Sequence, residues 1–178
     1  MNKYTELARK TVETYAKTGE IIPVPQDLPP EFYSEQKGVF VTIHKTENGK
    51  NCLRGCVGTF TPTKDSLAQE IIQNAIFASQ EDNRFRPIIE NELESLNYEV
   101  SLLDPPEQIY SSADLDTKKY GVIIKTEDGR TGLLLPDIKG VNSPVYQIEI
   151  AARKGCINFE KEEFFLYRFT VEKYKEQR

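Results

Sequence analysis

The stretch Leu53-Arg54-Gly55-Cys56-Val57-Gly58-Thr59-Phe60 sets a guanidinium, a thiol and two glycines inside a strand pattern. Arg54 and Cys56 are two apart, so an extended backbone puts them on one face. The thiolate is the reactive form of cysteine, and a nearby cation favours it. Cys56 is therefore a candidate nucleophile or redox thiol, Arg54 its activator, and His44, the chain's single histidine, a candidate base. The amides of Gly55 and Gly58 would offer N–H donors to an oxyanion or phosphate. The competing reading is a buried structural cysteine beside an arginine in a surface ion pair. On a strand the two Cα atoms stand about 7 Å apart, so contact requires the arginine to bend toward the thiol.

Two other chemistries fit less well. Cys52 and Cys56 on one strand do not both reach a metal at about 2.3 Å without a bulge, and further ligands have no source beyond His44 and Cys156, so no metal site is assigned. The octet also lacks the glycine spacing and the lysine of a phosphate-binding loop. No cofactor motif is evident.

Several elements must position these residues. Residues 3–17 form an amphipathic helix ended by Gly19. Pro23 to Pro30 is a stiff surface connector, with Ile21, Ile22, Val24 and Leu28 to bury. Residues 38–45 are a strand, Asn48-Gly49 is a turn, and 51–60 is the returning strand. A two-residue turn sets His44 opposite Leu53 and Ile43 opposite Arg54. A one-residue shift, through a longer loop or a bulge, sets His44 opposite Arg54, Thr42 opposite Cys56 and Val41 opposite Val57. The shifted register separates apolar from polar side chains and is the one expected, with Thr42, His44, Arg54 and Cys56 on one polar face.

Thr61-Pro62 signals a helix over 62–81 that is apolar over a wide arc and so packed on two sides. Residues 88–96 are a connector or helical turn, 98–103 a strand carrying Glu99, and 107–117 a loop. Residues 121–126 and 131–135 pair through Asp128-Gly129. Residues 145–154 are a helix stopped by Gly155, with Arg153 and Lys154 at its C-terminal end. A last strand spans 164–171, followed by a charged tail. The pattern is α+β with a largely antiparallel sheet flanked by helices.

The chain has 178 residues, a net charge of −5 and a pI near 5.1. An acidic chain argues against general nucleic-acid binding but leaves room for a local small-anion site. Three cysteines do not form a disulfide framework. The N-terminal stretch lacks an apolar signal region and no apolar run approaches about 18 residues, which predicts a soluble, cytoplasmic, reduced protein without membrane association.

The octet, with Gly38-Val39-Phe40-Val41-Thr42, resembles the AMMECR-type domain family, whose bacterial and archaeal members are called AmmeMemoRadiSam system protein A. Asp82-Asn83-Arg84-Phe85-Arg86-Pro87, Glu99-Val100-Ser101-Leu102-Leu103 and Gly132-Leu133-Leu134-Leu135-Pro136 extend the resemblance. Ala152-Arg153-Lys154-Gly155-Cys156-Ile157 is similar to the family's Arg-Lys-Ala-Gly-Ile stretch, with Gly155-Cys156 in place of Ala-Gly. The family's usual Trp residues are absent. The resemblance implies a single AMMECR-type domain over residues 1–178, folded as two lobes of unassigned boundary. A groove between them would carry the Arg-Gly-Cys segment. It also implies the company of a Memo-type protein, similar to extradiol dioxygenases, and of a radical SAM protein. It implies no reaction.

Two functions are compatible with these residues. One is a binding module with a polar pocket from Arg54, Gly55, Cys56, Gly58, Arg84 and Lys154. It would take a small anion, such as a modified nucleotide or a peptide carboxylate, or a partner. The other is a cysteine-dependent enzyme using Cys56, Arg54 and His44. Blander roles stand beside these: His44 as a strand surface residue, Glu99 as a sheet pairing partner, Lys154 as a helix-end charge, and Arg84 as a clamp on Asp82.

Overall fold

The computed structural model describes residues 2–176. The chain divides into two compact units, Met1–Leu103 with Glu172–Arg178, and Asp104–Val171. Each is an antiparallel sheet with helical cover, so the α+β expectation holds.

In the first unit, α1 (Lys3–Thr18) starts at Asn2, whose side chain accepts from Thr5 N, and ends at Gly19 in the left-handed region. Its buried face is Leu7, Ala8, Thr11 and Val12. The short helix α2 (Glu31–Ser34), which the sequence pattern does not announce, comes after Pro29-Pro30 and buries Phe32 against the Tyr4 ring, 4.6 Å away. The connector before it is stiffened by Tyr33, whose hydroxyl donates to Pro25 O and accepts from Leu28 N. Ile22, Val24 and Leu28 pack on the core, whereas Ile21 stays exposed.

Strands β1 (Gly38–Glu47), β2 (Lys50–Thr59), β3 (Leu96–Leu103) and β8 (Val171–Lys175) lie in the order β2-β1-β3-β8, which makes β2 an edge. One face, with Val39, Val41, Ile43, Tyr98, Val100 and Leu102, packs on α1 and α3 (Leu67–Gln80). The expected helix start at Pro62 is not realised. Ser66 caps the helix instead, and residues 60–66 are a loop. The buried Glu70 carboxylate holds that loop, accepting from Thr59 Oγ1, Thr63 N and Oγ1, and Lys64 N. Those bonds satisfy the amides more fully than a proline-started first turn would.

In the second unit, β4 (Glu107–Ile109), β5 (Gly121–Lys125), β6 (Thr131–Leu134) and β7 (Phe165–Phe169) lie in the order β4-β7-β5-β6. Helix α4 (Pro144–Lys154) covers one face, burying Ile148, Ala151 and Ala152 against Val122, Ile124 and Leu134. The single strand expected over 164–171 is two strands in two sheets, interrupted at Thr170. The residues expected to form a charged tail contain β8. Its end is fixed by Glu176, whose carboxylate accepts from Arg9 Nε and Nη2 and from Tyr98 N.

Candidate functional site

The Arg-Gly-Cys segment is shaped by one inserted residue. Asn48 and Gly49 both take positive φ, 51° and 72°, the geometry of a tight two-residue hairpin turn. From that turn the pairing runs Glu47–Lys50 to His44–Leu53, then shifts to Ile43–Gly55, Thr42–Cys56 and Val41–Val57. Arg54 is the extra residue of a bulge. The expected register is thus realised beyond the bulge, but His44 faces Leu53 and not Arg54. The turn fixes the pairing near the tip, and the bulge moves only the residues after it.

Both glycines have packing reasons. A Cβ on Gly55 would lie 2.1 Å from Ala78 O, so only glycine lets the backbone of α3 come this close to β2. A Cβ on Gly58 would lie 2.4 Å from Phe40 Cγ and from Val39 O on the neighbouring strand.

The Cys56 thiol is half-buried, with Sγ 3.2 Å from Thr42 Oγ1 across the pair. Its backbone groups point away from β1, and two side chains meet them. Asp82 Oδ2 accepts from Cys56 N at 2.8 Å, and Arg84 Nη2 donates to Cys56 O at 3.2 Å. Arg84 also donates from Nε and Nη2 to the Asp82 carboxylate, at 2.9 and 2.7 Å. The Asp82–Arg84 pair thereby occupies both edge groups of Cys56, the positions a further strand would take.

Arg54 turns the other way. Its Nε and Nη2 donate to Glu92 at 3.0 and 2.7 Å, a two-point pairing in which both side chains are largely shielded. Glu92 also accepts from Ile89 N and lies 3.5 Å from Lys45 Nζ. Arg54 and Arg84 approach the same ring, with Cζ 6.0 and 5.4 Å from the Phe85 centroid.

These contacts set the electrostatics. Burial pushes the Cys56 thiol up, and the Thr42 hydrogen bond and the Arg84 charge only partly offset it. The Arg84 hydrogen bonds hold Asp82 far below the usual carboxylate range, against its burial. Burial works to raise Glu92, but its bonds from Arg54 and Ile89 N outweigh it and the carboxyl is lowered.

Of the residues singled out by sequence, Arg54, Gly55, Cys56, Gly58 and Arg84 share one sheet edge. His44 is half-buried on β1, and Glu99 pairs opposite Thr42 and bridges to Lys175 Nζ at 3.1 Å. Lys154 is exposed in the last turn of α4, in the second unit. Sequence reasoning missed Glu92 and the Glu70 network. Asp82-x-Arg84 just after a helix was the one local signal for the clamp. Among the described residues no group of three or more His, Cys, Asp or Glu would hold a metal ion, and no helix is long and apolar enough to cross a membrane.

Residues 5–174 match the AMMECR1 family. A Thermotoga maritima protein is 43% identical over 172 residues, covering 97% of both chains. A Clostridium acetobutylicum protein is 40% identical over 174 residues, 97% of this chain but 36% of its own length. The crystal structure of an uncharacterized Pyrococcus horikoshii protein superposes with a TM-score of 0.87 at 32% identity, over 98% of this chain and 90% of that one. With nearly the whole chain matched in both sequence and fold, the protein belongs to the AMMECR1 family.

Proposed function

We propose that the chain is a binding module, of the kind called AmmeMemoRadiSam system protein A, whose Arg-Gly-Cys edge takes a small anion or a partner protein. Its company would be a Memo-type protein and a radical SAM protein, which would carry the chemistry. The state of Cys56 carries this reading: burial raises the thiol, and the nearest sequence cation, Arg54, is closed onto Glu92. A nucleophile needs the thiolate. The C. acetobutylicum relative adds support, since there the homologous region is a minor part of a longer chain.

The test is the pH dependence of alkylation at each cysteine, read by peptide mass spectrometry on the full chain. Cys56 is expected to label more slowly than the exposed Cys52 and Cys156, with its midpoint above an ordinary thiol's. A Cys56→Ser variant is expected to keep its affinity for the Memo-type protein in calorimetry. Fast labelling of Cys56 near pH 6–7 would overturn the reading in favour of a cysteine-dependent enzyme. That second reading draws on one observation: the Thr42 hydroxyl and the Arg84 charge both pull toward the thiolate.

A further inference from the structure

The two arginines of the site both donate from Nε and Nη2, but they differ in exposure, and that difference says which one is left for a ligand. The Arg54 side chain is 14% exposed and its charge is met by a Glu92 carboxylate that is 13% exposed. Its Nη2 donates in addition to Pro87 O. Arg84 is 56% exposed although its carboxylate partner, Asp82, is only 6% exposed. The carboxylate is thus turned inward. It takes Arg84 Nε, Nη2 and backbone N, together with Cys56 N, and makes no bond with Nη1.

A guanidinium carries five N–H donors. Those on Nε and Nη2 are spent on Asp82 and Cys56 O, whereas the pair on Nη1 is not engaged by the protein among the described residues. The Phe85 ring, 5.4 Å from Cζ, lies against this fork, and Asp82 fixes its direction. An arginine so held gives up little rotamer freedom when it binds.

Resting on the binding-module reading above, we propose that Arg84 is the anion-contacting residue of the site and that Arg54 is a positioning residue, holding the bulge against Glu92. The ligand chemistry is a two-oxygen oxyanion, a carboxylate or a phosphate monoester. Such a group takes one oxygen on Nη1 and the second on Nη2. The bond that yields is the longest one Nη2 makes, the 3.2 Å bond to Cys56 O. Occupancy is then felt by the peptide that joins Cys56 to Val57, inside the Arg-Gly-Cys segment itself.

The full chain is titrated with sodium phosphate and, separately, sodium acetate at constant ionic strength and pH 7, monitored by 1H–15N correlation spectra that include arginine Nε–Hε signals. Saturable shifts are expected at Arg84 Nε–Hε and at the Val57 amide, with the same half-saturation concentration. Phosphate tighter than acetate would identify the phosphate monoester as the source, and the reverse order a carboxylate. Arg84→Lys, which keeps the charge but loses the fork, is expected to weaken binding at least tenfold. Its amide spectrum elsewhere reports whether the fold is intact. If it is not, Asp82→Glu, which moves the anchor and leaves the guanidinium, is expected to weaken the same shifts. Saturable binding that maps to Arg54 or Lys154 and survives Arg84→Lys would overturn the assignment while leaving an anion-binding module in place. Shifts that are absent or linear for both salts would also overturn it, leaving the partner-binding form to stand on the calorimetry with the Memo-type protein. Loss of the module reading itself would show instead as an activated Cys56.

Discussion

In the first unit Gly55 of β2 lets the backbone of α3 close in, and in the second Gly132 of β6 does the same for α4. A Cβ would stand 2.1 Å from Ala78 O at the one and 1.8 Å from Ala151 O at the other. Both contacts fall near the C-terminal end of the helix, where carbonyls crowd a strand that has no side chain to hold them off. The residues after the two glycines differ. Gly132 leads into Leu133 and Leu134, of which Leu134 is buried under α4, and the strand ends there. Gly55 leads into Cys56, whose thiol meets Thr42 and whose edge groups are taken by Asp82 and Arg84. One device therefore seals a core in the second unit, and in the first brings a polar segment to an edge.

Gly55→Ala and Gly132→Ala test that likeness with the largest effects. Each is expected to lower stability by about 3 kcal/mol in urea unfolding, the upper part of the range for overpacking against backbone. Only Gly55→Ala is expected to change the alkylation rate of Cys56. Equal effects of both variants on Cys56 would remove the distinction between the units.

Glu92→Gln comes next. It leaves Arg54 shielded with a weakened acceptor and is expected to cost about 2 kcal/mol, in the range for a hydrogen-bonded charged group. Tyrosine and phenylalanine near-ultraviolet circular dichroism across the same urea series checks it. No loss would mean that Arg54 finds another acceptor and that the bulge does not depend on the pair.

Acid separates the two units further. Asp82, Glu70 and Glu92 of the first unit all have lowered pKa values, from ordinary values of 3.8 for the aspartate and 4.5 for the glutamates. A depressed carboxyl contributes stability that is present above its unfolded value and is lost as pH falls through its folded value. Stability of the first unit is therefore expected to decline from about pH 4.5 downward. In the second unit the lowered carboxyls are Asp128 and Glu162, joined through Arg130 on the surface. Such exposed pairs hold little stability. Hydrogen exchange by mass spectrometry between pH 5 and pH 2.5, corrected for intrinsic rates, is expected to show protection lost in β2 and α3 before β5 and α4. Simultaneous loss would show that the units do not unfold separately.

The last effect is small and has the opposite sign. At the end of α4, Ile157 N donates to Ala152 O and Cys156 N to Arg153 O, a glycine-type helix stop in which Cys156 takes φ 53°. Gly155 is held by a different constraint, since its Cβ would lie 2.8 Å from Gly132 N. In the family stretch that this segment resembles, glycine stands one position later, at the left-handed residue. Cys156→Gly is expected to raise stability by about 1 kcal/mol, the cost of the left-handed region for an L side chain. A melting temperature that falls would mean that the cysteine side chain contributes packing that outweighs its backbone cost.

Features that depend on neighbours along the chain were legible in the sequence. The Asn48-Gly49 turn, the Gly19 end of α1, and the alternation of Val39, Val41 and Ile43 come from local backbone preference and periodicity, and each is present. Helix α4 also ends at Lys154 as expected, but the left-handed residue there is Cys156 and not Gly155. The Arg-Gly-Cys octet, with its glycines, marked the segment where the strand departs from simple packing. The rest depended on long-range contacts. Pro62 has a sound local reason to begin a helix, but the Glu70 carboxylate binds the amides of Thr63 and Lys64 and delays the start to Leu67. Residues 165–175 read as one strand and a tail, because nothing in their spacing reveals that Phe165–Phe169 and Val171–Lys175 join different sheets. The partners that define the site lie far along the chain: Asp82 is 26 residues from Cys56, and Glu92 is 38 from Arg54. Charge and hydrogen-bonding capacity are written in each residue, but which charges meet, and so which arginine is left exposed, depends on contacts that exist only after the chain has closed on itself.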